Sequence, residues 1–318
     1  MARIFVTRRL PGPALDRLSA RHDVEIWADP LPPPPDRLAE LARDVDGLLS
    51  TIADRIDAQL IDSCPNLRAI ANYAVGYDNV DIAAATRRGI PVGNTPDVLT
   101  DATADLAFTL LLAGARRLLE ACATVIEGTW KTWDPGALLG RSVNGKTLGI
   151  IGPGRIGLAV AKRASGFDME VLLSARPDAE APAQQDGRTP IPELLRRSDF
   201  VSIHCPLNEQ TRHLIDAEAL AMMRPTAILV NTARGPIVDQ RALASALQAG
   251  TIGGAALDVT DPEPLPPGDP LLQAPNLIVA PHIGSATHEA REQMAELSVD
   301  NLLAALDGQP MPHSVNRP

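Results

Sequence analysis

Short apolar runs alternate along the chain with segments in which apolar residues recur every three or four positions. The runs are four or five residues long and rich in Leu, Ile, Val and Ala, which is typical of buried strands. They are Ile4–Thr7, Gly47–Ser50, Arg68–Ala71, Thr147–Ile151, Glu170–Ser174, Phe200–Ile203, Ala227–Val230, Gly254–Leu257 and Leu277–Ala280. Such strands alternating with helices indicate parallel sheets covered on both faces. Because they form two series, we predict two doubly wound, Rossmann-like or flavodoxin-like α/β domains.

Two longer helical patterns lie at the expected domain boundaries. One covers Asp101–Glu120 and is rich in Ala and Leu, and the other covers His288–Leu306. We therefore predict that the chain leaves its first domain near residue 97, builds the second, and returns near residue 286. Residues 1–97 and 287–318 would form one domain and residues 98–286 the other. We expect a cleft between the two that closes on ligand.

Composition and charge narrow the class of protein. The chain is 45% hydrophobic and carries a net charge of −10, so nucleic acid and anionic membranes are not its expected partners. An anionic substrate would have to be met by local positive groups. The segment Met1–Thr7 looks like a strand and not a signal peptide, and no apolar run has the length of a membrane span. The widely spaced cysteines, Cys64, Cys122 and Cys205, favour neither disulfides nor zinc, which predicts a cytoplasmic protein without a metal.

A glycine-rich turn follows the first strand of the second series. Strand Thr147–Ile151 leads directly into Gly152-Pro153-Gly154-Arg155-Ile156-Gly157, and the helical run Leu158–Ala164 follows. In this context the first glycine allows a tight turn, the second lets the backbone approach a pyrophosphate, and the third lets the helix pack on the strand. A turn can match this pattern by chance, but the strands behind it favour a dinucleotide site. Residues 98–286 are therefore predicted to be a dinucleotide-binding Rossmann domain, and the remainder a substrate-binding (catalytic) domain.

The end of the next strand bears on the choice of cofactor. NAD-specific domains carry Asp or Glu about 20 residues past the glycines, where it accepts hydrogen bonds from the ribose 2′-OH. Here the strand ends in Ser174-Ala175-Arg176, with no carboxylate at its tip. Ala175 removes the repulsion against a 2′-phosphate, Arg176 offers a planar guanidinium, and Ser174 adds a hydroxyl. The sequence favours NADPH and leaves NADH open, because Arg176 can be a solvated turn residue and Asp178 can pair with it.

Three residues with complementary chemistry follow three later strands. Arg234 can bind a carboxylate with its planar fork, His282 can give a proton to a carbonyl oxygen, and Glu263 can hold the imidazole and favour its protonated form. The carboxyl ends of parallel strands are where ligands bind in open sheets. Each residue alone has an ordinary explanation as a surface ion pair, a solvated loop carboxylate or a turn residue. Together, on a domain with a dinucleotide motif, they predict the reduction of a keto acid.

Motifs distributed along the chain are more specific as a set than any one of them. They are Asn72–Asp81, Asp101–Asp105, the glycine turn, His204–Leu207 with Thr211–His213, Asn231–Gly235, Asp261–Leu265 and Pro281–Ser285. In these the sequence resembles the D-2-hydroxyacid dehydrogenase family, most closely its glyoxylate/hydroxypyruvate reductases, over nearly the whole chain. The resemblance implies reduction of a small 2-keto acid to the D-2-hydroxy acid by hydride transfer from NAD(P)H, and a homodimer. Pro153 stands where relatives often have Leu, and it has no N–H for a phosphate.

The resemblance also assigns residues. It makes Arg234, Glu263 and His282 the catalytic set. It implies a substrate site formed by Val75, Gly76, Arg234 and Ser285, with the backbone of Val75 and Gly76 holding the carboxylate. Together with the turn and the strand tip it gives a cofactor site of Thr103, Gly152, Gly154, Arg155, Ile156, Gly157, Ser174, Ala175, Arg176, Cys205, Pro206, Thr211, Thr232, Ala233, Arg234, Asp258, His282 and Gly284. Asp258 is placed near the carboxamide.

Two other interpretations remain open from the sequence. Another D-2-hydroxyacid dehydrogenase, acting on phosphoglycerate or lactate, shares these motifs, although the phosphoglycerate enzymes often carry an extra C-terminal domain for which residues up to 318 leave no room. A dinucleotide-sensing, corepressor-like binding protein can retain the same catalytic set. It would show negligible turnover and a docked protein partner, so an assay of cofactor oxidation discriminates between them. Adjacent His204 and Cys205 point to opposite faces of a strand and make a poor metal chelate.

Overall fold

A computed structural model describes residues 1–175 and 187–316 of the chain. The chain divides into two compact units. Unit one comprises Met1–Leu99 and Ser285–Pro318, and unit two comprises Thr100–Gly284. The boundaries expected near residues 97 and 286 lie close to these positions. No helix in the described part of the chain is long and apolar enough to cross a membrane.

Unit one is built on a parallel sheet with the strand order β2-β1-β3-β4-β5. Its strands are β1 (Arg3–Val6), β2 (Asp23–Ile26), β3 (Gly47–Ser50), β4 (Ala69–Asn72) and β5 (Val92–Gly93). Its helices are α1 (Ala14–Ser19), α2 (Pro35–Ala42), α3 (Ala58–Ser63), α4 (Ile82–Arg87) and α11 (His288–Leu306). Phe5, Leu48 and Ile70 are fully buried in its core. The sheet brings the ends of β3 and β4 side by side, with Ser50 opposite Asn72.

Unit two contains a six-stranded parallel sheet with the order β11-β10-β9-β8-β6-β7. Its strands are β6 (Thr147–Ile151), β7 (Glu170–Leu173), β8 (Phe200–Ile203), β9 (Ile228–Asn231), β10 (Gly254–Leu257) and β11 (Leu277–Val279). Its helices are α5 (Thr100–Ala115), α6 (Leu118–Ile126), α7 (Arg155–Ala164), α8 (Ile191–Arg197), α9 (Ala217–Met222) and α10 (Gln240–Gln248). The strand order reverses at β6, and ligands bind in open α/β sheets beyond the carboxyl ends of the strands at such a point.

One predicted helix is wrong in its extent. The pattern over Asp101–Glu120 is not one helix, because α5 ends at Ala115 and α6 begins at Leu118. Arg117 lies between them in the left-handed region, with φ of 51°, and its guanidinium binds the carboxylate of Glu120 at 2.6 and 2.8 Å. Leu118 keeps the apolar spacing of α5, so periodicity does not show the break. The helix predicted over His288–Leu306 is confirmed with the same bounds.

Candidate functional site

The glycine turn between β6 and α7 has the shape that a dinucleotide needs. Gly152 has φ of 85°, and a Cβ built there would lie 2.3 Å from the backbone nitrogen of Cys205. A Cβ at Gly157 would lie 2.5 Å from the carbonyl oxygen of Gly152, so the start of α7 packs directly on the turn. Gly154 has open space beside it and immediately precedes α7. The first N–H groups of this ten-residue helix therefore face outward with the positive end of its dipole, which suits the pyrophosphate of a nicotinamide dinucleotide.

The end of β7 supports the same turn. Ser174 is buried, and its hydroxyl accepts a hydrogen bond from the Gly152 N–H at 3.2 Å. This contact holds the first glycine against the neighbouring strand. Ala175 follows and is partly exposed, while the predicted phosphate ligand Arg176, and Asp178 with it, lie outside the described residues.

Glu263 and His282 form a hydrogen-bonded pair beyond the ends of β10 and β11. The Glu263 Oε1 atom accepts from Nδ1 of His282, and both side chains are partly exposed. An ionised carboxylate at Nδ1 fixes the imidazole's orientation and tautomer and stabilises its protonated form. The Nε2 atom is then the one that can give a proton to a substrate.

Asp258, at the end of β10, holds the turn that carries His282. Its backbone oxygen accepts from the His282 N–H at 2.9 Å, and its two carboxylate oxygens accept from the Ile283 and Gly284 N–H groups at 2.7 Å each. Asp258 is 1% exposed, and burial raises the pKa of its carboxyl, against the lowering effect of these hydrogen bonds and of His282. Sequence analysis placed Asp258 near the carboxamide of the cofactor and did not predict its hydrogen bonds to the turn that carries His282.

Arg234 is presented by the turn that follows β9. Asn231, which is 1% exposed, accepts from the Ala233 N–H at 3.0 Å and donates to the Arg234 carbonyl oxygen at 2.8 Å. A Cβ at Gly235 would lie 1.9 Å from the backbone oxygen of Thr260, so this turn packs directly on the loop that follows β10. The packing brings the segment carrying Arg234 beside the segment carrying Glu263. Asn231 holds the turn that carries Arg234, a contact that sequence analysis did not predict, although an Asn that ends a strand just before a candidate Arg is a usable signal.

His204, set aside in the sequence as a poor metal ligand, lies directly after β8, at the same edge of the sheet. Its Nε2 atom lies 2.8 Å from the Ser202 hydroxyl, and its Nδ1 atom lies 3.4 Å from the hydroxyl of Thr232. Burial lowers the pKa of His204 to about 4, so the ring is neutral at physiological pH. The neighbouring Cys205 is buried, and its burial raises the pKa of the thiol to about 11. The described residues bring no three His, Cys, Asp or Glu side chains together in a metal-binding arrangement.

The remaining predicted site residues fall into two groups. In unit two, the side chain of Thr103 on α5 lies beside Gly284, and the Thr211 hydroxyl donates to the Pro206 carbonyl at 2.7 Å, so it shapes its own loop. In unit one, Val75 and Gly76 lie in the loop after β4, partly exposed. Ser285 lies just before α11, and its carbonyl accepts from Nε of Arg291 at 3.3 Å.

Comparisons with known proteins agree on one family. The family profile described as the D-isomer specific 2-hydroxyacid dehydrogenase NAD binding domain matches residues 108–284. A glyoxylate reductase from Korarchaeum cryptofilum is 49% identical over 318 residues, covering 99% of this chain and 96% of that protein. Glyoxylate reductases of several Thermococcus species are similarly close, including one from Thermococcus litoralis at 48% identity over 99% of this chain and 97% of its own length.

Solved structures give the same answer. A protein from Thermus thermophilus has a TM-score of 0.92 and 50% identity, over 99% of this chain and 100% of that one. An NADPH-dependent glyoxylate/hydroxypyruvate reductase from Sinorhizobium meliloti, solved with NADP and malonate, has a TM-score of 0.85 and 34% identity, over 99% and 97% of the two chains. With the glycine turn and the strand-end residues described above, these likenesses show that the chain belongs to the D-isomer specific 2-hydroxyacid dehydrogenase family and is a nicotinamide-dependent oxidoreductase.

Proposed function

We propose that this chain reduces glyoxylate or hydroxypyruvate to the 2-hydroxy acid, with D configuration where the product is chiral. The single observation that carries the proposal is the Glu263–His282 hydrogen bond beyond the strand ends of unit two, the same edge at which β9 presents Arg234. The relatives named as glyoxylate reductases, and the reductase from S. meliloti, support these two substrates.

Arg234, His282 and Glu263 have separate roles in the proposed reaction. The nicotinamide, when bound, supplies a hydride to the carbonyl carbon. The guanidinium of Arg234 binds the substrate carboxylate and so orients the carbonyl group. Protonated His282 gives its Nε2 proton to the carbonyl oxygen, which becomes the hydroxyl, and the neutral ring then takes a proton from solvent. Glu263 keeps the ring aligned and stabilises the imidazolium before the transfer.

The other predicted contacts belong to the same proposal. We assign the substrate carboxylate to the backbone N–H groups at Val75 and Gly76, with Ser285 as a further substrate contact. We assign the dinucleotide to the glycine turn and to the residues around it: Thr103, Arg155, Ile156, Ser174, Ala175, Cys205, Pro206, Thr211, Thr232, Ala233, Asp258 and Gly284. Asp258 has two carboxylate oxygens with further lone pairs, so it can meet a carboxamide while it holds the His282 turn.

A panel of substrates tests the function. Glyoxylate, hydroxypyruvate, pyruvate and 3-phosphohydroxypyruvate are offered to the wild-type protein, and oxidation of the reduced cofactor is followed by absorbance. We expect glyoxylate or hydroxypyruvate to give the highest kcat/KM. Preference for pyruvate or for the phosphorylated acid would instead favour a dehydrogenase of lactate or phosphoglycerate type. Tight cofactor binding without turnover of any acid would favour a dinucleotide-sensing protein.

For the cofactor we propose NADPH in preference to NADH. Support comes from the absence of a carboxylate at Ser174-Ala175 and from the NADPH-dependent relative in S. meliloti. The test is the ratio of kcat/KM for NADPH and NADH in the wild type and in Ala175→Asp. The new carboxylate should repel the 2′-phosphate and accept from the 2′-OH, and so move the ratio toward NADH. Ala175→Asn is the uncharged control of similar size. A wild type that prefers NADH would overturn this choice.

We further propose a homodimer in the cytoplasm. The support for a second copy is α6, which buries no residue within the chain and exposes large apolar side chains. Leu118 is 50% exposed, Leu119 55%, Val125 59% and Ile126 85%. Apolar patches of this kind mark association surfaces. The three cysteines are free thiols, the state that a reducing cytoplasm maintains.

A further inference from the structure

In the loop Tyr73–Tyr77 of unit one, three backbone carbonyl groups are each held by a separate hydrogen bond. Three consecutive carbonyl oxygens each accept a hydrogen bond from a different donor of the same unit: Ala74 O from the Thr95 N–H at 2.9 Å, Val75 O from Nδ2 of Asn94 at 2.8 Å, and Gly76 O from Nδ2 of Asn72 at 3.0 Å. A loop on the surface ordinarily leaves such groups to water. Here the orientation of each peptide plane is set by the protein.

Fixed carbonyls determine where the N–H groups point. These peptide bonds are trans, so each N–H points opposite to the C=O of its own peptide plane. The three oriented N–H groups are those of Val75, Gly76 and Tyr77, and they are turned away from the donors that hold the carbonyls. Within residues 1–175 and 187–316, no group accepts a hydrogen bond from them. Successive unpaired N–H groups form a concavity that binds anions such as carboxylates.

Asn72, one of these donors, is itself held by several hydrogen bonds. It ends β4, is fully buried, and its Oδ1 accepts from the Ser50 hydroxyl at 3.1 Å and from Nδ2 of Asn79 at 3.2 Å. Its Nδ2 also donates to Oδ1 of Asn79 at 3.0 Å. Asn79 is fixed in turn, because its Nδ2 donates to the carbonyl oxygens of Thr51 and Asp54 at 3.0 and 2.9 Å. With Oδ1 receiving two donors, the Nδ2 of Asn72 is directed at Gly76.

We propose that Asn72 is a positioning residue for the substrate carboxylate. Locked by Ser50 and Asn79, it holds the Gly76 carbonyl and so orients the Gly76–Tyr77 peptide before the substrate arrives. This aims the Tyr77 N–H as a third donor beside those of Val75 and Gly76. Asn94 does the same one peptide earlier, because it holds the Val75 carbonyl and so aims the Gly76 N–H. Donors oriented in advance bind an anion more strongly, because no free energy is lost in ordering the loop on binding. The inference rests on the proposed function, in which Val75 and Gly76 hold the carboxylate.

The substitution Asn72→Asp tests this with little change of size. It replaces the donor to Gly76 with an oxygen, so the Gly76–Tyr77 peptide loses its fixed orientation. We expect the KM for glyoxylate to rise roughly 10- to 100-fold, the range that corresponds to one hydrogen bond to a charged group. The dissociation constant of NADPH should stay unchanged, because the glycine turn belongs to unit two. Ser50→Ala removes only one holder of Asn72 and should raise the KM less, which keeps the test available if Asn72→Asp folds poorly.

Asn316→Asp is the matched control. Asn316 is 9% exposed in the same unit, its Nδ2 donates to Thr86 and Ile90, and its Oδ1 accepts from Val92, all away from the loop. The same chemical change there should lower stability and leave the KM of the folded fraction as in the wild type. Equal KM values in Asn72→Asp, Ser50→Ala and the wild type would overturn the inference.

Hydrogen exchange separates this inference from the proposed function. Oxamate carries a carboxylate beside a carbonyl that the enzyme does not reduce. With NADPH present, oxamate should slow amide exchange at residues 75–77 in the wild type and do so much less in Asn72→Asp. Absence of protection in the wild type, or equal protection in the variant, overturns the inference whatever the turnover. Protection of the loop in a wild type that reduces no 2-keto acid would overturn the proposed function alone.

Discussion

His282 adopts a backbone conformation that a non-glycine residue avoids, with φ of 54°. The left-handed region costs an L-residue about 1–2 kcal/mol. Asp258 offsets this cost, because it accepts three hydrogen bonds from consecutive N–H groups of the turn, at 2.7–2.9 Å. The strained turn places the ring against Glu263, so backbone strain at one residue is tied to the orientation of the proposed acid.

Replacing Glu263 with Gln should shift the pH profile of reduction. The ionised carboxylate hydrogen-bonds Nδ1 of His282 and stabilises the imidazolium, and the neutral amide of Gln removes that charge. The proposed mechanism uses the protonated ring, and the alkaline fall in kcat/KM should therefore move to lower pH. The measurement is kcat/KM across about pH 5–10 at saturating NADPH, a range that covers the alkaline limb up to roughly three units above an ordinary histidine.

Glu218→Gln is the control for this experiment. Glu218 is an exposed carboxylate in the first turn of α9, and its loss changes the net charge by the same amount. The profile of the control should match that of the wild type. An alkaline limb that stays in place in Glu263→Gln would show that Glu263 does not act on His282.

His204 should make stability depend on acid. The folded protein holds the pKa of His204 at about 4, against 6.5 for the ordinary side chain, because the ring is buried. The unfolded chain takes up this proton below pH 6.5 and the folded chain only below about 4, so protonation favours unfolding between the two. The stabilisation is complete above pH 6.5 and is lost as the pH falls toward 4. The total loss is about 3 kcal/mol.

Urea unfolding of the wild type and of His204→Gln at pH 7.0 and 4.5 measures this loss of stability in acid. The free energy of unfolding should fall less between the two pH values in the variant, because one proton uptake is gone. His288→Gln changes an exposed position at the start of α11, and its free energy of unfolding should fall by as much as that of the wild type. Parallel losses in all three proteins would contradict a neutral, buried His204.

For single residues, the sequence predicts which positions form the candidate site but not all of the contacts that hold them. Arg234, Glu263 and His282 could be placed after strands of one parallel sheet, because the apolar runs show where strands end. The hydrogen bonds that Asp258 accepts from the turn at His282 could not be predicted, since no residue type in the sequence marks a non-glycine residue in the left-handed region. The pairing of Ser202 with His204 had a signal that went unused, because side chains two apart on a strand share a face.

At the scale of elements, close packing of the turn after β9 gives a sharp prediction. Gly235→Ala places a Cβ 1.9 Å from the backbone oxygen of Thr260. Because this neighbour is a backbone atom, it cannot rotate away as a side chain can. We expect the loop after β10 to be displaced, with a loss of about 1–3 kcal/mol in stability. A fall in kcat/KM of at least tenfold should accompany it, roughly 1.4 kcal/mol or more of transition-state stabilisation. The measurements are the midpoint of thermal unfolding and steady-state kinetics.

Gly166→Ala is the companion variant. A Cβ at Gly166 meets no atom within 4 Å, and the residue is exposed in the short turn after α7. This variant should keep the wild-type unfolding midpoint and activity. A Gly235→Ala protein with wild-type kinetics would show that the turn tolerates a side chain and that its packing does not position Arg234.

The elements that sequence analysis missed share a physical cause. Strand β2 is the edge of its sheet, and its residues alternate between exposed and half-buried, with Asp23 and Glu25 in it. Strand β5 has only two residues. Neither produces an apolar run, which the central strands β3, β4 and β8 do because they are buried on both faces.

At the scale of the whole molecule, the prediction of two doubly wound parallel sheets is confirmed. Alternation of strands and helices, the position of the glycine turn and the two long helical patterns were sufficient for it. The closure of a cleft on ligand stays a prediction. The net charge of −10 repels an anionic substrate, so the proposed function requires local positive groups, the role proposed for Arg234.

The proposed dimer is tested at the same scale. Ile126→Glu puts a charge on the most exposed apolar residue of α6 and should shift the protein from dimer to monomer, because burying an unpaired charge is costly. Light scattering after size exclusion gives the mass directly. Leu272→Glu, at a 43% exposed leucine outside α6, is the control and should remain dimeric. A wild type that is monomeric at micromolar concentration would contradict the proposal.

In the proposed reaction His282 donates the proton to the carbonyl oxygen of the 2-keto acid. The most direct measurement compares wild type and His282→Ala in kcat/KM for glyoxylate, together with the dissociation constant of NADPH from fluorescence titration. Loss of a general acid should lower kcat/KM by roughly 10²–10⁴-fold. The NADPH dissociation constant should change by less than about threefold, around 0.6 kcal/mol, because the glycine turn is untouched. A His282→Ala protein that retains wild-type kcat/KM while binding NADPH normally would show that His282 is not the proton donor.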